Sequence, residues 1–120
     1  MENEQLLGEH YLIELWGCNK LDYNKDELQR LMEEAAVICE CTIVQSVFHQ
    51  FNPHGLSGVV VIAESHLAIH TWPEFKSAVL DIFTCKLGSE EHVKKAFDFL
   101  CDAFQATSHK MRVEKRVIGA

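Results

Sequence analysis

Four consecutive β-branched residues, Val59-Val60-Val61-Ile62, constrain the fold of this chain more than any other stretch. Side chains along a strand alternate between faces, so an unbroken apolar run puts apolar groups on both faces and predicts an interior strand. That strand should span Leu56 to Ala63, entered through the turn signal Asn52-Pro53-His54-Gly55. Before it, Thr42 to Phe51 is β-branched and aromatic and reads as a strand. So does His10 to Trp16, which Gly17 closes. After it come a short strand, Leu67 to Thr71, ended by Trp72-Pro73-Glu74, and two more at Ser77 to Cys85 and Met111 to Val117.

Two segments carry the helical period instead. Asn24 followed by Glu27 is a capping-box arrangement, and Leu28, Leu31, Met32, Ala35 and Ala36 then fall on one face, predicting a helix over 25–39. Ser89 is the expected cap of a second helix striped by Val93, Ala96, Phe97, Leu100 and Phe104. The order is β-α-β-β-β-β-α-β with short connections. Hairpins pair antiparallel, and two helices of one apolar stripe each need a sheet face to cover. The expected class is α+β: a two-layer α/β sandwich, an antiparallel sheet with two helices on one face, in a single domain over 1–120. Such a sheet keeps its other face or an edge available, which predicts self-association, most simply as a dimer.

Charge narrows the partners. Eighteen acidic against eleven basic residues give a formal charge of −7. No basic stripe is present to displace phosphate counterions, so nucleic acid is excluded as a partner. A polybasic membrane anchor is excluded on the same ground. The start, MENEQLLGEH, lacks a basic segment followed by an apolar core, and the run Val59 to Ala63 is far short of the roughly 20 residues of a membrane span. A cytoplasmic protein is expected. Five cysteines, 18, 39, 41, 85 and 101, are an odd number without framework spacing and read as reduced thiols. His66 and His70, with Cys39, Cys41 or Cys85, lack the spacing of a metal site, and none is expected.

The remaining signal is Ser65. It follows Glu64 directly at the end of the apolar strand, with imidazoles at His66 and His70. A turn serine ordinarily satisfies local backbone groups. Here it is also placed to attack its own backbone. The word ESHLAIHTWPE, with FHQFNPHGLSGVVVIA before it and LDIFTC after it, resembles the bacterial and archaeal S-adenosylmethionine decarboxylases, a pyruvoyl-dependent family. The resemblance runs from about Gly8 to the C-terminus and is densest over 48–85.

The resemblance implies a self-processing proenzyme. The Ser65 hydroxyl would attack the carbonyl carbon of Glu64, and β-elimination from the resulting ester would leave a dehydroalanine that hydrolyses to a pyruvoyl cofactor. The products would be a β chain of 1–64 and an α chain beginning at 65. The pyruvoyl ketone would form a Schiff base with the amine of S-adenosylmethionine and accept the electrons released with carbon dioxide. Decarboxylated S-adenosylmethionine, the product, would feed polyamine (spermidine) synthesis. His70 matches the family's processing histidine, Ser57 its processing serine and Cys85 its proton donor, a thiol whose ordinary pKa near 8.5 lies within reach of working pH. Phe51 and His70 match the groups that stack on adenine, and Glu74 the carboxylate that holds the ribose hydroxyls. Because the family's site is shared between protomers, Phe51 could serve a neighbour. Each position also has a plain structural reading: Cys85 and Phe51 as core, His70 as a hydrogen-bonded histidine, Ser57 as a turn residue, Glu74 as solvated. Two loops differ from the family pattern, Phe75-Lys76-Ser77 where an aromatic and a glycine are usual, and Lys86 where glycine is usual. They keep open a related decarboxylase of arginine or ornithine, and a non-catalytic homologue acting as an interaction subunit.

Overall fold

A computed structural model describes residues 5–63, 65–85 and 90–119. Glu64, Lys86 and Ser89, which figure above, lie outside the described residues. In chain order the elements are β1 (Gln5–Trp16), α1 (Lys25–Ile38), β2 (Ile43–Gln50), β3 (Leu56–Ile62), β4 (Ser65–Trp72), β5 (Ser77–Thr84), α2 (Glu90–Phe104) and β6 (Ser108–Ile118). A 3₁₀ turn, Pro73–Phe75, joins β4 to β5. Six strands form one sheet in the order β2-β3-β4-β5-β1-β6, and all neighbours run antiparallel.

The helices form where the apolar stripes place them, and α1 starts at its expected cap. The Asn24 side chain accepts from the Glu27 N–H at 2.8 Å, and Glu27 returns a bond to the Asn24 N–H at 2.9 Å, which satisfies two otherwise orphaned donors. Leu28, Met32, Ala35 and Ala36 of α1 are buried, as are Val93, Ala96, Phe97, Leu100 and Phe104 of α2. The helix ends one residue earlier than expected, with Cys39 as its C-cap. Both helices cover the same sheet face, where Tyr11, Ile13 and Leu15 of β1, Leu67 and Ile69 of β4, and Leu80 and Ile82 of β5 complete the core. The α+β sandwich expected from the sequence is the fold.

Among the described residues no layer covers the opposite face. β3 is interior, with a neighbour on each side. Of its apolar run, Val60 and Ile62 are buried under the helices, whereas Val61 is 39% exposed on the open face. Val47, Trp16 and Trp72 are exposed as well. The apolar character of both faces is real, but only one face is filled.

Packing density in the covered layer sets a simple expectation. Met32→Ala, at a fully buried position, should cost about 2–5 kcal/mol of unfolding free energy, the usual range for emptying a core site. Val44→Ala, at a position 64% exposed, should stay within roughly 0.5 kcal/mol. Urea unfolding midpoints distinguish the two.

Candidate active site

The β3–β4 hairpin positions Ser65. β4 begins at Ser65 itself, two residues earlier than its alternation suggests, because Ser65 still pairs with Ile62 across the hairpin. Its side chain falls on the helix-covered face, in phase with Leu67 and Ile69, and its hydroxyl donates to the Phe83 carbonyl on β5. Two residues beyond Phe83 stands Cys85, just past the end of β5. Ser65 and Cys85 line one cavity of about 270 Å³ together with Thr84, Glu40 and Cys41. Glu40 reaches it because the chain turns sharply out of α1, with φ +60 at that residue.

Gly8 lets this end of the sheet close. A Cβ at Gly8 would overlap the Thr84 carbonyl oxygen and stand 2.9 Å from the Phe83 ring and 3.1 Å from the Cys85 Cα. β1 therefore comes close to the strand end that carries Cys85 only because position 8 has no side chain. The β1–β6 register shifts at the same point, between Leu6 and Gly8. Gly8 and Glu40 were not singled out by the sequence reading, and Cys41 figured there only as a thiol weighed for metal binding. A glycine inside a strand is a recognised sign of a bulge or close backbone approach, and was the available signal.

The other expected residues gather elsewhere. Ser57 and His70 are directly paired across β3 and β4, with Ser57 Oγ 2.8 Å from His70 Nδ1. Both lie on the open face, along a shallow groove with Val59, Ala68 and His49. Phe51 is exposed in the β2–β3 connection, where its N–H donates to the Gly55 carbonyl at 2.9 Å and its ring meets His49 edge-on at 4.7 Å. Glu74 is exposed on the 3₁₀ turn, at the same end of the sheet. His70 is five residues from Ser65. At about 3.3 Å per residue that is roughly 16 Å along the strand, and an odd separation puts the two side chains on opposite faces. One chain thus brings Ser65 to Cys85, and Ser57 to His70, but does not bring the two pairs together.

The loop that departs from the family pattern turns at Lys76. Lys76 adopts a left-handed backbone, φ 50 and ψ 41, the conformation glycine favours. Its carbonyl accepts from the Cys18 N–H at 2.9 Å. Lysine here accepts the strain that a glycine would avoid. Among the described residues no group of three or more His, Cys, Asp or Glu side chains gathers as a metal site, and no helix is long and apolar enough to cross a membrane.

Comparison with known proteins gives the family and the fold. A family model described as S-adenosylmethionine decarboxylase matches residues 9–117. The chain is 44% identical over 112 residues to an S-adenosylmethionine decarboxylase proenzyme of Archaeoglobus fulgidus, covering 92% of this chain and 98% of that protein. It is 50% identical over 96 residues to one from Thermosipho melanesiensis, covering 78% and 72%. A crystal structure of the adenosylmethionine decarboxylase from Aquifex aeolicus superposes with a TM-score of 0.83 at 32% identity, over 97% of this chain and 95% of that one.

Two of the thiols are held protonated. Burial pushes the Cys39 thiol up to about 12, helped by the neighbouring Cys41, and the Cys101 thiol up to about 11, helped by Asp98. At pH 8 their thiolate fractions are about 10⁻⁴ and 10⁻³, and the thiolate is the reactive form. In folded protein at pH 8, iodoacetamide should therefore leave Cys39 and Cys101 unlabelled. In urea all five should label. Peptide mass mapping reads the order.

Proposed function

This chain belongs to the S-adenosylmethionine decarboxylase family, and we propose that it cleaves itself at Ser65 and decarboxylates S-adenosylmethionine. The observation that carries the reading is the shared cavity of Ser65 and Cys85, a hydroxyl and a thiol at one end of the sheet. The Ser65 oxygen attacks the Glu64 carbonyl carbon, and the peptide C–N bond breaks as the ester C–O bond forms. Loss of the Ser65 α-proton then expels the Glu64 carboxylate, and water replaces the nitrogen of the resulting dehydroalanine, which leaves as ammonia. A pyruvoyl group made this way keeps the three carbons of Ser65, so the cavity that houses the serine fits it without enlargement. Once formed, it supplies a ketone that captures the substrate amine and takes up the electrons left by carbon dioxide. Cys85 holds the proton that replaces the lost carboxylate. The reaction suits the cytoplasm, where such thiols stay reduced.

The Ser57–His70 pair takes its part from a second copy. In this reading two chains stack their open sheet faces about a two-fold axis, with strands antiparallel, so that the Phe51, His70 and Glu74 end of one lies over the Ser65 and Cys85 end of the other. The separation of the two half-sites within a chain supports it, and so do the exposed apolar side chains between them. His70 and Ser57 then handle the proton of the partner's elimination step. Phe51 and His70 sandwich the adenine, and Glu74 accepts from the ribose hydroxyls.

Intact mass of purified protein is expected to give two fragments divided between 64 and 65, with Ser65→Ala remaining one folded chain. Full-length wild-type protein that persists would overturn the reading. Cys85→Ala should still cleave but release carbon dioxide about 10²–10⁴-fold more slowly, the usual weight of a positioned proton donor. Carboxyl-labelled S-adenosylmethionine, arginine and ornithine, assayed in parallel, should release label from the first alone.

Sharing of the site has its own test. His70→Ala expressed alone should stay uncleaved, yet become cleaved when co-expressed with Ser65→Ala, whose intact His70 serves it in mixed dimers. If His70→Ala chains stay whole in that mixture, the two half-sites do not act between chains.

A further inference from the structure

One cluster on the open face takes no part in that chemistry as described. His10 on β1, Phe83 on β5 and His66 on β4 are direct cross-strand neighbours, forming one row across three strands. The His10 and Phe83 ring centroids are 5.6 Å apart, His66 and Phe83 are 6.0 Å apart, and His10 meets His66 edge-on at 6.1 Å. His10 Nε2 is buried and has no hydrogen-bond partner. The Asp81 carboxylate stands 3.7 Å from it, too far for a hydrogen bond but within ion-pair reach. Glu114 of β6 lies opposite His10 in register and is exposed.

The row sits immediately behind the reacting residues. His66 is the chain neighbour of Ser65. Phe83 accepts the Ser65 hydroxyl through its carbonyl and precedes Cys85 by two residues. Gly8, two residues before His10, packs against Phe83 and Cys85. A shift of Phe83 would therefore move the carbonyl that accepts the Ser65 hydroxyl and the strand end that leads to Cys85. Leaving a buried ring nitrogen without a partner is unfavourable, and a nearby carboxylate offsets that best when the nitrogen carries a proton and turns toward it. An apolar ring would fill the same space without this conflict.

We propose that His10, held by Asp81, is a positioning residue that fixes Phe83 and His66 and through them the Ser65 hydroxyl. The proposal rests on the reading of Ser65 as the self-cleaving residue. It assigns the role to the ring nitrogen, not to the ring's bulk, and this separates it from simple packing. Full-length His10→Phe, His10→Gln and Asp81→Asn chains are followed by intact mass for the rate of self-cleavage. His10→Phe and Asp81→Asn should cleave roughly 10–100-fold more slowly than wild type, the scale of a small misplacement of reacting groups. His10→Gln, which keeps a polar nitrogen, should recover part of the rate. His10→Phe cleaving at the wild-type rate would overturn the proposal. A second measurement does not depend on cleavage or on every variant folding. In the uncut Ser65→Ala chain, adding Asp81→Asn should move the ring-nitrogen NMR resonances of His10 and then of His66. Resonances that ignore Asp81→Asn would remove the proposal alone, whereas a wild-type chain that never cleaves would remove both it and the reading beneath it.

Discussion

Alternation of side chains along β4 is the constraint on which the rest depends. Positions 65, 67, 69 and 71 face the helices, and positions 66, 68, 70 and 72 face away. A single strand therefore delivers one hydroxyl to the cavity and two imidazoles to the open face. No rotamer can undo this, because a shift of one residue in register would expose Leu67 and Ile69 and bury His66 and His70. The core thereby enforces the division of the site. Every other strand conforms to it: Ser57 follows His70 to the open face because they pair, and Cys85 reaches the Ser65 cavity because β5 ends beside the start of β4.

Much of this was legible in the sequence. The capping box, both helical stripes, the turn at Asn52-Pro53-His54-Gly55 and the succession of elements along the chain depend on local spacing, and each element appears where spacing puts it. Element ends were less legible: β4 gains Ser65 and His66 because pairing with β3 extends it, and β1 and β6 lengthen because they pair with each other. Those are gains from partners distant in sequence. The site was legible residue by residue but not in its arrangement. Matching Ser65, His70 and Cys85 to a motif says what chemistry each can do. It does not say that five residues of strand carry His70 away to the other face. Gly8 was overlooked because its role is to have no side chain, and the neighbours that require this, Phe83 and Cys85, are more than seventy positions away. His10 carried no motif at all. Its significance is a missing partner, which only coordinates reveal.

Topology decides what a cut at the β3–β4 connection would do to the molecule. The segment before it contributes β1, α1, β2 and β3, and the segment after it β4, β5, α2 and β6. In the sheet order β2-β3-β4-β5-β1-β6, β1 of the first segment is inserted between β5 and β6 of the second. The two fragments are thus interlaced through three strand interfaces, β3 with β4, β5 with β1, and β1 with β6. Tyr23 adds a tie from the first segment to the second, its hydroxyl donating to the Ala103 carbonyl at 2.7 Å. Separation would mean extracting β1 from between two hydrogen-bonded neighbours and stripping Tyr11, Ile13 and Leu15 out of the core. Breaking one peptide bond at a hairpin tip removes a chain-entropy constraint but none of these contacts. A chain that severs itself at this point remains one folded body, and the new terminus stays in the cavity where its serine stood.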